Sequence, residues 1–245
     1  FFTPSTWDDR ELPGGGVLRS DDRGRTWTAV NDQRTASAHV AALAVDPGNP
    51  DRVFAATMNQ GLILTEDGGA SWRTVSSRDD VPTFSVAINP SEPDILLSGF
   101  RGGIFRSTAG GDTFERVAAG TVPEAVVVDF EFDPTDSDTV YAADLASGVY
   151  RSEDSGTTWT LLDNGLRTRA VNDLALSHDG RHLYAATEGE GVYRLDLIGS
   201  PPAPLPVTTT TIAVSTTSAP ATTAPSATAP TTTAASMGST TIPLA

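Results

Sequence analysis

The 245-residue chain contains no cysteine and no lysine, so all 16 of its basic residues are arginine. Without cysteine it forms no disulfide, no cysteine-ligated zinc site, no iron–sulfur cluster and no thiol nucleophile. It also lacks the run of about 20 apolar residues that a membrane-spanning helix needs. The net charge is -15 and the arginines form no cluster. We therefore expect no nucleic-acid partner and no membrane contact by the folded part, because binding phosphate groups requires clustered cations.

Charge is also missing from the C-terminal region, where no side chain beyond Asp196 is ionisable. Thr, Ala, Pro and Ser occupy 37 of the 45 positions in residues 201–245, and none of these residues is aromatic. Such a segment has too little apolar surface to offset the entropy that it would lose on ordering. We predict a folded domain in residues 1–198 and a disordered, low-complexity linker or stalk in residues 199–245.

The composition of this tail also bears on localisation. Ser/Thr-rich segments with proline are typical of O-glycosylated stalks outside the cytoplasm. We expect a secreted or cell-surface protein, although the chain begins at Phe1 and carries no recognisable N-terminal signal of its own.

The folded part is built from a repeat. A glycine followed by a short alternating apolar and polar run recurs five times, starting at Gly16, Gly61, Gly103, Gly148 and Gly191. The glycines are 45, 42, 45 and 43 residues apart, and the alternation is typical of a β-strand. A full unit holds three more such runs, two before the glycine and one that starts at Trp or Phe. Four strands in a unit of this length predict one blade of a β-propeller.

About five blades are expected, of which the outermost two are incomplete. Residues 39–80, 81–120 and 121–166 each contain all four runs. The first unit begins inside its second run, and the last unit ends after its third run. We predict an all-β propeller of four-stranded blades that is incomplete at its N-terminus.

A motif between the third and fourth strands carries the strongest local signal. It reads S/T-x-D-x-G-x-T/S-W in three units, and a decayed fourth copy lacks the aspartate and ends in Phe. Its members are Ser20, Asp22, Gly24, Thr26 and Trp27; Thr65, Asp67, Gly69, Ser71 and Trp72; Ser107, Gly111, Thr113 and Phe114; and Ser152, Asp154, Gly156, Thr158 and Trp159. Asp caps a tight turn, Gly supplies a positive φ and the hydroxyls pair locally. The aromatic ring is expected to fill the gap against the neighbouring strand, contributing about 2–3 kcal/mol.

This motif resembles the Asp box, or bacterial neuraminidase repeat, of sialidase-like β-propellers. In blade pattern the chain is most similar to photosystem II stability and assembly factors and to xyloglucan-hydrolysing glycosidases. The resemblance implies that the Asp-box turns lie away from the functional face, so they identify the fold and not the chemistry. Sialidases also need an Arg-Ile-Pro motif, which is absent here, and sortilin-type receptors add a cysteine-rich module that this chain cannot have.

The same turn is a poor calcium loop, because it lacks the series of oxygen ligands and the terminal Glu of such loops. We accordingly predict no metal and no cofactor. The four tyrosines, which would be the candidates for a sialidase nucleophile, occupy repeated strand positions and are expected to pack in the core.

Candidate catalytic residues lie at equivalent positions of the first strands. Ala42 and Ser85 correspond there to Asp129 and Asp173, and Glu131 follows Asp129 by two residues. We expect Asp129, Glu131 and Asp173 to form an acidic group lining the channel of the propeller. Two interpretations stay open: paired carboxylates for glycoside cleavage, one of them with a raised pKa, or the solvated polar lining of a water-filled channel.

Candidate binding residues on the loops of the same face are Arg34, Arg78, Arg101, Arg167 and Arg169. We predict a non-enzymatic binding or scaffold module whose loop face contacts a protein or a glycan. The alternative is a glycoside hydrolase of the sialidase or xyloglucanase type, or a relative that has lost catalysis. Carboxylates that converge in a sugar-sized cleft favour the enzyme, whereas arginine and aromatic residues gathered on the loop face favour the binder.

Overall fold

Antiparallel sheets make up most of the structure, a computed structural model that describes residues 16–75, 82–117, 120, 125–162 and 165–197. All of these residues lie in one compact unit that spans Phe1–Pro201. The predicted tail lies outside the described residues. One short 3-10 helix, Thr35–Ser37, is present, and no α-helix occurs in the described ranges.

The strands form five sheets, which we number as blades 1 to 5. In chain order they are β1 (Leu18–Arg19) and β2 (Thr28–Ala29); β3 (Val40–Asp46), β4 (Asn49–Thr57), β5 (Gly61–Thr65) and β6 (Arg73–Thr74); β7 (Thr83–Ile88), β8 (Leu96–Phe100), β9 (Gly103–Ser107) and β10 (Glu115–Arg116); β11 (Val127–Asp133), β12 (Asp136–Asp144), β13 (Gly148–Ser152) and β14 (Thr160–Leu162); and β15 (Val171–Leu176), β16 (His182–Thr187) and β17 (Gly191–Asp196).

Within each blade the strands pair antiparallel in the order of the chain. The first strands of successive blades lie side by side, β3 with β7, β7 with β11 and β11 with β15. This is the architecture of a β-propeller, which confirms the predicted fold class. Blades 2, 3 and 4 have four strands, as the three complete repeat units predict.

The hydrophobic core lies between blades. Successive side chains of a strand point to opposite faces of the sheet, so each blade packs on its predecessor with one face and on its successor with the other. Phe54 and Leu62 of blade 2 pack on Val86, Leu96 and Phe105 of blade 3. Similar clusters join blade 3 to blade 4 and blade 4 to blade 5. A blade therefore buries its apolar faces only by stacking against its neighbours.

Blade 5 shows what happens to a face that has no successor in the described part of the chain. Tyr184 and Val192 are 37% and 69% exposed. The equivalent residues of blade 4, Tyr141 and Val149, are covered by blade 5 and are 2% and 3% exposed. The repeated sequence thus presents the same kind of face in both blades, and the neighbouring blade decides whether it is buried.

The Asp-box turns form the hydrogen-bonded staple expected from the motif. In blade 4, Asp154 accepts bonds from the Thr158 backbone N–H at 2.8 Å and from the Thr158 hydroxyl at 2.7 Å. The Ser152 hydroxyl donates to Asp154 at 2.7 Å and accepts the Gly156 N–H at 2.9 Å. The same four bonds recur around Asp22 in blade 1 and Asp67 in blade 2.

These hydrogen bonds stabilise the charged form of the aspartates and so lower their pKa values. Bonds from Thr26 to Asp22, and from Ser71 to Asp67, lower the pKa of each carboxyl to about 2. The decayed copy in blade 3 keeps only the part of the staple made by the hydroxyl, because Ser107 still accepts the Gly111 N–H at 3.0 Å. Asp22, Asp67 and Asp154 are therefore acids that the turns themselves require.

The aromatic residue of the motif packs between blades in two of the three intact copies. Trp72 and Trp159 are buried, and the Trp72 indole N–H donates to the Val30 carbonyl at 2.9 Å. Phe114 contacts Phe100 edge to face, with ring centroids 6.4 Å apart. The prediction was wrong for Trp27, which is 46% exposed. The physical reason is that the ring at this motif position packs against the preceding blade, as Trp72 and Trp159 do. In the described residues no blade precedes blade 1.

Arginines add a polar connection between blades. In three cases a guanidinium donates to the backbone carbonyl at the fourth position of the Asp box in the next blade. The bonds are Arg19 Nη1 to Gly68 at 3.4 Å, Arg52 Nη2 to Gly110 at 2.6 Å, and Arg106 Nε to Ser155 at 2.8 Å. Each Asp-box turn in blades 2, 3 and 4 is therefore held by its own hydroxyls and by the preceding blade.

A substitution at Gly156 would test how tightly these turns pack against the preceding blade. It has a φ of +84°, and a Cβ at this position would lie 2.4 Å from Leu97 Cδ2 in the buried face of blade 3. Gly156→Ala is expected to lower the free energy of unfolding by about 2–4 kcal/mol, from backbone strain plus overpacking.

Gly189→Ala is the matched control, because Gly189 has a φ of +83° and nothing within 4 Å of its Cβ position. It should cost about 1–2 kcal/mol, the backbone part alone. Urea denaturation of both variants measures the difference. Equal losses would show that the turn does not press on blade 3.

Candidate functional site

A β-bulge recurs at one place in the first strand of blades 2 to 5. The register with the second strand shifts there by one residue in β3, β7, β11 and β15. The residues that follow the bulge are Ala42, Ser85, Asp129 and Asp173. The equivalence read from the sequence therefore has a structural cause, since a bulge re-aims the side chain that follows it.

The side chain after the bulge reaches the next blade in two of these cases. The buried Ser85 hydroxyl donates to the Val127 carbonyl at 2.7 Å. Asp129 Oδ2 accepts the Leu174 backbone N–H at 2.8 Å. This position therefore ties one blade to the next, a role that the sequence analysis missed. The available signal was the 42- to 45-residue repeat itself, which placed a hydroxyl or a carboxyl at one recurring point.

The structure brings Asp129, Glu131 and Asp173 together. Burial, and then the negative charge of Asp173, raise the pKa of Asp129 to about 6, although the Leu174 N–H opposes the shift. Asp129 and Asp173 are therefore neighbours across blades 4 and 5. Burial, followed by repulsion from Asp129 and Asp173, raises the pKa of Glu131 to about 7. Asp129 and Glu131 are therefore partly protonated near neutral pH.

The geometry of the group limits its chemistry. Glycosidase carboxyl pairs stand about 5–5.5 Å apart in retaining enzymes and about 6.5–9.5 Å apart in inverting ones. Asp129 and Asp173 are neighbours that act on each other's charge, and one Asp129 oxygen is already bonded to the backbone. Glu131 has the raised pKa of a general acid, and it would have to work with one of these two carboxylates.

The group lies at the edge of the sheet from which the loops between second and third strands extend. Val127, at the start of β11, pairs with Asp144 at the end of β12. The buried Asp144 shapes the loop that follows, because its carboxylate accepts the N–H groups of Val126, Ala146 and Ser147. Leu145 in this loop and Met58 in the corresponding loop of blade 2 are exposed. The loops at this edge thus carry exposed apolar side chains in blades 2 and 4.

The predicted binding arginines are spread over several blades. Arg34, Arg101, Arg167 and Arg169 are exposed, and Arg78 lies outside the described residues. Arg34 precedes blade 2 and donates to the Thr74 hydroxyl at 2.7 Å, whereas Arg101 lies in blade 3. Arg167 and Arg169 lie between β14 and β15. In the described residues these arginines therefore lie on loops of different blades.

Two further features of the described ranges limit the kinds of site. No group of three or more His, Asp or Glu residues there is arranged to hold a metal ion. No helix in those ranges is long and apolar enough to cross a membrane.

Several known proteins are similar in sequence to parts of this chain. A family model described as "Sortilin, neurotensin receptor 3" (Sortilin-Vps10) matches residues 15–101. A xyloglucanase of a Paenibacillus species is 27% identical over 224 residues, a match that covers 73% of this chain and 22% of that enzyme. The xyloglucanase Xgh74A of Acetivibrio thermocellus is 29% identical over 190 residues, covering 59% of this chain and 23% of the enzyme.

The chain is a β-propeller with xyloglucanases among its relatives. It spans less than a quarter of the length of either enzyme. Among solved structures, it is similar to an ancestral GH74 enzyme, with 25% identity and a TM-score of 0.60 over 70% of this chain and 24% of the other. YCF48 bound to a D1 peptide shares the fold at 18% identity, with a TM-score of 0.51 over 66% of this chain and 53% of that one.

Glu131 is expected to make stability depend on pH. Its pKa of about 7 in the folded chain is above the usual 4.5. Between these two pH values the folded state therefore binds more protons than the unfolded state. Its stabilising contribution is therefore complete below about pH 4.5 and is lost as the pH rises to about 7. Asp129 acts in the same direction up to about pH 6.

Glu131→Gln removes the titrating group and should raise the melting temperature more at pH 8 than at pH 5. Thermal unfolding followed by circular dichroism over this range is the measurement. Glu115→Gln, a change in the exposed strand β10, serves as the control and should leave the pH profile unchanged. A Glu131→Gln profile parallel to that of the parent chain would contradict the burial of this carboxyl.

Proposed function

We propose that this propeller binds a neutral polysaccharide without cleaving it, outside the cytoplasm, through the edge that carries Asp129, Glu131 and Asp173. The observation that carries the proposal is the state of the acidic group. Asp129 already accepts the Leu174 N–H and lies next to the negative charge of Asp173, which makes it a poor second carboxylate for hydrolysis.

The polysaccharide part of the proposal is supported by the chemistry of this edge. Carboxyl groups with pKa values of about 6 and 7 are partly neutral at physiological pH, so they both donate to and accept from sugar hydroxyls. The exposed Met58 and Leu145 offer apolar contact for the faces of sugar rings. Relatives at 27% and 29% identity are named for a polysaccharide, xyloglucan, which makes this polymer the first ligand to test.

Localisation outside the cytoplasm is supported by the Thr/Ala/Pro/Ser-rich tail, whose composition is that of an extracellular stalk. The tail would act as a spacer that holds the propeller away from whatever it is attached to.

A glycoside hydrolase is the second candidate function, and one observation favours it. Glu131 has a pKa of about 7, which suits a general acid, and Asp173 is exposed to solvent. In this case Glu131 would protonate the leaving oxygen while Asp173 activates water or attacks the sugar.

Native gel electrophoresis of the full chain through gels that contain xyloglucan separates the two candidates. The binder predicts retardation by xyloglucan with no release of reducing sugar and no turnover of aryl glycosides or sialosides. Glu131→Gln and Asp173→Asn should each weaken retardation about fivefold, the equivalent of one hydrogen bond, whereas Glu115→Gln should not. Sugar release that disappears in Glu131→Gln would instead establish the hydrolase, and the absence of retardation would reject polysaccharide binding.

A further inference from the structure

The Asp-box turn of blade 3 keeps its shape although it has lost its aspartate. Ala109 stands where the three intact copies have the aspartate. The Ser107 hydroxyl still accepts the N–H groups of Ala109 at 3.1 Å and Gly111 at 3.0 Å. Gly111 has a φ of +93°, against +98° for its counterpart Gly69 in blade 2. The turn is therefore folded around a place where the other copies hold a carboxylate.

Three donors point to this place in the intact turns. In blade 4 the Asp154 carboxylate accepts the Thr158 N–H at 2.8 Å, the Thr158 hydroxyl at 2.7 Å and the Ser152 hydroxyl at 2.7 Å. The counterparts in blade 3 are the N–H and hydroxyl of Thr113 and the hydroxyl of Ser107, which is 1% exposed. Within the described part of the chain, no group accepts a hydrogen bond from any of these three donors.

A second acid of the motif is also replaced in blade 3. The residue before the aspartate is acidic in the intact copies, and in blade 4 it is Glu153, which pairs with Arg151 at 2.8 Å. Blade 3 has Thr108 there. Arg106, the counterpart of Arg151, donates through Nε to the Ser155 carbonyl at 2.8 Å and has no ion-pair partner among the described residues. Its positive charge is therefore left without a neighbouring carboxylate.

These groups line one open cleft beside β10. Its lining consists of Arg106, Thr108, Thr113, Glu115, Arg116, Val117 and Thr157. Two guanidinium groups thus face a single carboxylate. The cleft lies where β9 ends, whereas the loop between the second and third strands lies where β9 begins. It is therefore at the opposite edge of the sheet from Asp129.

Donors arranged in this way favour a negatively charged carboxylate. The bonds from Thr26 lower the pKa of Asp22 to about 2, and the bonds from Ser71 do the same to Asp67. Hydroxyl and amide donors next to a guanidinium group are also the partners that bind carboxylates in proteins generally. Blade 3 keeps these partners and lacks the carboxylate.

We propose that the Asp-box turn of blade 3 binds the carboxylate of a small ligand, either a simple organic acid or an acidic sugar. One carboxylate oxygen accepts the Thr113 N–H and the Ser107 hydroxyl, the other accepts the Thr113 hydroxyl, and Arg106 balances the charge. The arrangement is that of Asp154 in blade 4, with the ligand supplying the carboxylate. The inference does not depend on polysaccharide binding at the other edge.

The first probe is formate, the smallest carboxylate, titrated into the ¹⁵N-labelled full chain and followed by amide NMR. The Thr113 amide should shift downfield and saturate, because its N–H gains a charged acceptor. We expect half-saturation at millimolar formate, since an exposed ion pair adds little. Sodium chloride at the same ionic strength should not produce this shift.

Two variants test the geometry. Ala109→Asp supplies the carboxylate from the chain, so it should raise the melting temperature by about 2–4 °C and abolish the response to formate. Thr113→Val removes one donor and should weaken formate about fivefold, the equivalent of one hydrogen bond. Thr158→Val is the matched control, because it makes the same change in the intact turn of blade 4 and should leave formate binding unchanged.

D-Glucuronate and D-glucose distinguish the source of the carboxylate. Tighter binding of glucuronate than of formate would assign the site to an acidic sugar, and equal binding would assign it to the carboxylate alone. Either result supports the proposal. It would be overturned by the absence of a saturable Thr113 shift with both acids, by a formate response that survives unchanged in Ala109→Asp or Thr113→Val, or by glucose acting as well as glucuronate.

Discussion

Stacking of one blade on the next is the interaction on which the rest of this structure depends. A four-stranded blade has two apolar faces and cannot bury either of them alone. The contrast between Tyr141, which is 2% exposed, and Tyr184, which is 37% exposed, shows that an equivalent residue is buried or exposed according to whether a blade follows. The bulge side chains, the Asp-box glycines and the interblade arginines all act at this contact, and each connects a blade to its neighbour.

The acidic group is a consequence of the same arrangement. The bulge turns residue 129 toward the next blade, where its carboxylate accepts the Leu174 N–H and lies near the equivalent Asp173 one blade later. Two residues along, Glu131 shares their surroundings and has its pKa raised to about 7. The bulge, which serves to connect blades, thus also gives rise to the raised pKa values that a binding or catalytic site would use. For this reason a raised pKa alone does not distinguish polar lining from chemistry.

Most of the fold could be predicted from the sequence. The glycine spacing predicted the blades, and the S/T-x-D-x-G-x-T/S-W motif predicted the hydrogen bonds around Asp22, Asp67 and Asp154, because both are local patterns that every copy repeats. The exposure of Trp27 was not predicted, since it depends on a preceding blade and not on the motif. The use of Asp129 as a tie to Leu174, and of Arg106 as a donor to Ser155, also involves residues 45 and 49 positions apart, beyond any local pattern.

By itself, the sequence determined the strand content, the turn chemistry and the equivalence of Ser85, Asp129 and Asp173, because these depend on residue type and on a period of about 43 residues. Only the tertiary structure decided which of these equivalent groups are buried and which bond to the next blade. Those properties depend on the distance between side chains from different blades and on the water excluded between them. Tyr184 is the clearest case, since its sequence context matches that of the buried Tyr141 and only the neighbouring part of the described structure differs.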